Sequence, residues 1–205
     1  MAFIDTIKPN ESEGEVRTMY ERQQNSWGFV PNYSKIFSHR PEILARCARL
    51  LTEIRRPMDD RRFELATFTA AYELKNTACS LEHGKQLGRF IGREAVVELG
   101  QGKVSSELSD AERAIADYAR KIAGDAASIT AEDIESLRDH GLGDAEIFDV
   151  AATAAGRAFF TKLLDALGVQ PDCAASELED DFKVPLTVGR PISTDTAEYI
   201  DRDDN

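Results

Sequence analysis

Apolar residues return along this chain at helical spacing, and breaker residues punctuate them. Residues 12–25 read as a polar helix after TIKPNES, and SWGFVPNY then interrupts it with Gly28 and Pro31. Trp27, Phe29 and Tyr33 are expected to seat that turn against the core. Pro41 suits the first position of a helix. In PEILARCARLLTEI, the positions Ile43, Leu44, Cys47, Leu50, Leu51 and Ile54 then fall near one stripe, which places Cys47 in the core. Asp59 or Asp60 serves as cap for RRFELATFTAAYEL, whose Leu65, Phe68, Ala71 and Tyr72 point inward. Asn76 or Thr77 caps the next helix, from near Ala78 to about Phe90, and REAVVEL follows Gly92 as a short one.

The second half repeats this grammar. Ser109 and Glu112 have capping-box spacing, and Ile115, Tyr118, Ala119 and Ile122 form an apolar face behind them. ITAEDIESLRDHGLG is another capped helix, closing at Gly141. The most apolar stretch is DAEIFDVAATAAGRAFFTKLLDALGV, with Ile147, Val150, Ala151, Ala154, Ala158, Phe159, Leu163 and Leu167. Its small residues permit close helix approach, which suits a central or intersubunit position. No segment sustains strand alternation between turn signals. The expected class is all-α, a helical bundle over residues 1–171. From Asp172 the stripe is lost, and Pro185 and Pro191 break an acidic segment. Residues 172–205 are therefore expected as an extended tail, disordered at its end.

Composition narrows the function classes. The 205 residues carry 37 acidic against 25 basic side chains, a formal net charge of −12. That balance argues against a sequence-independent grip on nucleic acid or on an anionic membrane. No apolar run approaches the roughly 18 residues of a membrane span. MAFIDTIKPNESEGE has neither basic flank nor apolar run, so no signal peptide is visible. Cys47, Cys79 and Cys173 lie far apart and make no disulfide framework, which points to a reducing cytoplasm.

The chemistry concentrates in YELKNTACSLEHG. Four residues are just over one helical turn, so Cys79 and His83 share a face. With Asn76 or Thr77 as cap, Cys79 sits in the first turn, where unsatisfied N–H groups favour a thiolate. His83 is then placed to take the thiol proton and later protonate a leaving oxygen. The bland alternative is a buried structural thiol beside an ordinary histidine. No metal or cofactor is expected: His39 and His140 are the other histidines, and no second Cys/His pair has zinc spacing. Arg62, Tyr72 and Lys85 are candidates for substrate or interface contacts, whereas Glu73 and Glu82 are expected to be solvated.

RRFELATFTAAYELKNTACSLEHGKQLGRF resembles the central segment of the carboxymuconolactone decarboxylase and alkyl hydroperoxidase D-like (AhpD-like) family. The shared features are Arg62, Glu64 and Leu65, the Cys-x3-His turn, and a helix ending near glycine. The likeness extends over roughly residues 10–170. It implies an AhpD-like helical bundle that self-associates as a trimer, hexamer or dimer. It also implies that Cys79 attacks a hydroperoxide while His83 and Glu64 relay the proton. The first cysteine of the family's Cys-x-x-Cys falls on Asn76, so this is a single-cysteine variant without a local resolving thiol. Turnover then relies on an external thiol reductant unless the fold brings Cys47 or Cys173 to Cys79. Glu64 precedes Cys79 by 15 residues, about 22 Å along one straight helix. The relay therefore requires the chain to reverse near residues 75–77, or a neighbouring subunit. Three functions compete: a thiol-dependent peroxidase-type oxidoreductase, a decarboxylase-like lyase on a small carboxylactone or keto acid, and a non-catalytic helical oligomer.

Overall fold

The computed structural model describes residues 2–195, and among these the chain forms ten α-helices and short 3-10 turns, with no strand. They are α1 (Gly14–Trp27), α2 (Asn32–Ile36), α3 (Pro41–Arg55), α4 (Asp60–Glu73), α5 (Thr77–Ile91), α6 (Arg93–Gly100), α7 (Asp110–Asp125), α8 (Ala131–Asp139), α9 (Asp144–Ala166) and α10 (Asp180–Leu186). Local signals account for several of the starts. The Asp59 side chain accepts from the Arg62 amide, and Ser109 and Glu112 close a reciprocal capping box. No described helix is long and apolar enough to cross a membrane.

The central helix is α4 rather than the more apolar α9. Residues 63–71 of α4 are buried all the way round, and α5, α7 and α9 pack against it. Ala66, Ala70 and Ala71 leave room for that enclosure, while Leu65 and Phe68 fill the spaces between neighbours. α9 keeps Phe148 and Phe159 exposed on its outer side. A second, smaller core forms where α1 to α3 meet the C-terminal half of α9, around Met19, Tyr20, Phe37, Leu44 and Leu164. The α3 stripe is wider than its contact: Leu44 and Cys47 are buried, whereas Ile43 and Leu50 face outward. Trp27 also lies largely exposed rather than seated in the core.

The segment from residue 172 differs from an extended tail. It makes a 3-10 turn, Cys173–Glu177, and then α10, which lays Phe182 and Leu186 into the main core against α5 and α6. Only these two anchors, four residues apart, carry the amphipathic signal, too few for a visible stripe. Beyond α10 the chain straps over the α4–α5 turn. The Gly189 amide donates to Thr77 Oγ1 at 2.9 Å, and a Cβ at Gly189 would stand 1.8 Å from the Lys75 carbonyl oxygen. Arg190 donates to the Asp165 carbonyl at 2.6 Å, fastening the strap to α9. Residues 196–205, where the disordered end was expected, lie outside the described residues.

Candidate active site

The turn between α4 and α5 reverses the chain within three residues. Lys75 takes a left-handed φ of 56°, and the Asn76 amide closes the end of α4 on the Ala71 carbonyl at 3.1 Å. The Asn76 side chain then caps α5, its Oδ1 accepting from the Cys79 amide at 2.9 Å. Its Nδ2 donates to Asp165 Oδ2 on α9 at 3.0 Å. Cys79 is therefore the third residue of α5, held by its own backbone.

This reversal lays α5 alongside α4 and brings Glu64 opposite His83. His83 Nδ1 donates to Glu64 Oε2 at 2.7 Å. Glu64 is 5% exposed, so it is a core carboxylate rather than a solvated one. The His83 side chain is 17% exposed. Burial holds the imidazole below its usual pKa and the positive Arg157 adds to this, against the opposing pull of Glu64. A neutral ring with Nδ1–H committed to a carboxylate leaves Nε2 as the acceptor. Gly84, next in sequence, permits the approach of helices: a Cβ there would meet Leu186 at 3.0 Å and Phe68 at 3.2 Å.

Cys79 is 6% exposed and a free thiol, as is the buried Cys47, and Cys173 is also buried. Burial pushes the Cys79 thiol above its ordinary value, and the guanidinium of Arg157 opposes that push. Arg157 Nη1 donates to Cys79 Sγ at 3.7 Å from the middle of α9. Arg157 is not among the candidates that the sequence alone singles out. The signal that marks it is a single charged residue within the otherwise uncharged stretch 150–161 of α9, since long charged side chains are almost never buried without a task. The Arg157 Cζ stands 5.8 Å from the centre of the Phe160 ring, which meets Tyr33 edge-on at 5.5 Å. Burial raises the Tyr33 hydroxyl to about 12, so it remains protonated.

The other sequence candidates lie in structural roles. Arg62 pairs with Glu146, and Tyr72 Oη donates to the Pro185 carbonyl at 3.3 Å. Lys85 and Glu73 are exposed, while Glu82 accepts from Gln86. His39 bonds the Asp5 carbonyl and His140 the Ser136 carbonyl. No group of three or more His, Cys, Asp or Glu among the described residues is arranged to hold a metal ion. Two surface depressions, of about 480 and 410 Å³, lie between α1 and its flanking loops and between α6 and α10. Neither is lined by Cys79, His83 or Glu64, and of these three side chains His83 is the one that keeps partial exposure.

No protein-family model matches the chain, and no curated protein matches it. Solved structures do. An uncharacterized peroxidase-related protein from Ralstonia eutropha JMP134, described as an alkylhydroperoxidase AhpD core, superposes with a TM-score of 0.69 at 19% identity. The match covers 92% of this chain and 98% of that one. An uncharacterized peroxidase-related protein from Silicibacter sp. TM1040 gives 0.61 at 20% identity over 88% of this chain and 91% of its own. The debrominase Bmp8 gives 0.67 at 14% identity over 88% and 94%. Such a likeness settles architecture and leaves chemistry to the site. The helices of this chain are built on the AhpD-core fold.

Proposed function

We propose that this protein is a thiol-dependent, peroxidase-type oxidoreductase, with Cys79 as nucleophile, His83 as proton carrier and Glu64 as its orienting partner. The observation that carries the reading is the 2.7 Å Glu64–His83 hydrogen bond, on the helix that bears Cys79 one turn earlier. A buried carboxylate that fixes an imidazole tautomer one helical turn from a thiol suits the movement of one proton. The similarity in fold to peroxidase-related proteins agrees with it.

In this reading His83 Nε2 takes the thiol proton, and Arg157 stabilises the sulfur anion that results. The thiolate attacks the distal oxygen of a hydroperoxide. An S–O bond forms, the O–O bond breaks, and the departing alkoxide takes the proton back from His83. Cys79 is left as a sulfenic acid and the peroxide as an alcohol. Because Asn76 stands one turn before Cys79, an external thiol condenses with the sulfenic acid and releases water. A second thiol then displaces the mixed disulfide and restores Cys79.

A sulfenic-acid probe with mass-spectrometric mapping tests this, with Cys47 as internal control. Peroxide-dependent labelling of Cys79 but not Cys47 is expected. Absence of labelling at Cys79 under millimolar peroxide defeats the proposal. Carbon dioxide release from a carboxylactone that persists in Cys79→Ser would replace it with the lyase.

A further inference from the structure

Arg157 is 7% exposed, yet no carboxylate among the described residues lies within ion-pair distance of it. Its Nε–H is buried and without a hydrogen-bond partner. Its one side-chain hydrogen bond is the 3.7 Å contact from Nη1 to the Cys79 sulfur. A guanidinium has five N–H donors and stays charged, so most of its capacity here is unmatched. Buried charges are ordinarily paired, and removing one from water without a counter-ion is strongly unfavourable. The Cys79 thiol is a poor counter-ion at rest, since its burial disfavours the thiolate. Asp165, the nearby carboxylate on the same helix, is engaged by Asn76 and Arg190.

We propose that Arg157 is the anion receptor of the Cys79 site, and that the substrate is a small organic acid whose carboxylate rests on this guanidinium. The fork of N–H groups suits a carboxylate. The Phe160 ring lies against the guanidinium, with Tyr33 packed edge-on against Phe160, and this aromatic side favours an apolar body on the acid. This deepens the peroxidase reading by giving its hydroperoxide a carboxylate, and it rests on that reading only for the identity of the reacting atom. Arg157 thereby selects among peroxides as well as stabilising the thiolate.

The experiment compares alkylation of Cys79 by iodoacetate and iodoacetamide, which differ in a carboxylate. The ratio of rates in the folded chain is divided by the same ratio in urea. The folded chain is expected to favour iodoacetate by about tenfold or more, the worth of one charge-assisted contact. Arg157→Gln removes the preference and Arg157→Lys retains part of it. A normalised ratio of one or less in the wild type overturns the proposal, as does a preference unchanged in Arg157→Gln. Calorimetric titration of the wild type with benzoate and with benzamide needs neither a folded variant nor a reactive thiol. Binding of benzoate alone supports the receptor, and equal or absent binding of the two overturns it. Chloride or sulfate displacing benzoate at equal concentration overturns the organic-acid assignment. Should neither reagent alkylate Cys79 while benzoate binds, the nucleophile fails and the receptor stands.

Discussion

Glu64 and His83 meet at 2.7 Å although 19 residues separate them, because α4 and α5 fold back on one another at Lys75. The contact joins a core carboxylate to the imidazole that shares a helix face with Cys79.

His83→Gln removes the proton carrier and is expected to slow peroxide-dependent sulfenylation of Cys79 by about 10²–10⁴-fold, the usual worth of general acid–base catalysis. Glu64→Gln keeps a hydrogen-bond acceptor but loses the charge, so its loss is smaller. Stopped-flow oxidation of the thiol measures both. Equal rates in His83→Gln and wild type would take the histidine out of the mechanism.

The Cys79 thiol titrates above its ordinary value because it is buried, with Arg157 opposing. Its rate of alkylation by neutral iodoacetamide therefore rises with pH and is still climbing beyond about 8.5, the reference value of a free thiol. Arg157→Gln moves the midpoint higher again. A plateau reached below neutrality would mean a preformed thiolate and contradict this.

His83 has the opposite consequence for stability. Its folded-state pKa is below the unfolded value, so the unfolded chain binds more protons between the two. Its contribution to stability is therefore lost as pH falls below about 6.5. Thermal unfolding of wild type and His83→Gln across that range is expected to diverge toward acid, the wild type falling more steeply.

Asn76 links the cap of α5 to Asp165 on α9. Asn76→Ala is expected to destabilise by about 0.5–2 kcal/mol through the cap alone. Urea unfolding measures it, and an unchanged midpoint would mean the cap is dispensable.

Gly189 lies where a Cβ would overlap the Lys75 carbonyl oxygen, a backbone atom that cannot rotate aside. Gly189→Ala is expected to cost about 1–3 kcal/mol, as overpacking does. A melting temperature equal to wild type would place the strap elsewhere in solution.

Much of the bundle was legible along the chain. Caps such as Asp59, Asn76 and the Ser109–Glu112 box act over three residues, and the shared helix face of Cys79 and His83 follows from one helical turn. The likeness of RRFELATFTAAYELKNTACSLEHGKQLGRF to a known family pointed to the fold that the solved structures share. Which helix would be central was not legible, because enclosure depends on neighbours as well as on apolar content. α4 is enclosed by α5, α7 and α9 with α6 at its side, while the greasier α9 keeps an outer face.

Helical periodicity and capping are short-range, so the sequence by itself determined the all-α class, most helix starts and the shared face of Cys79 and His83. Only tertiary structure decided that Glu64 is buried against His83, that Arg157 reaches Cys79 from 78 residues away, and that the last described residues strap the turn between α4 and α5. Such contacts arise when separate elements bury their surfaces together, and no local window of residues carries that information.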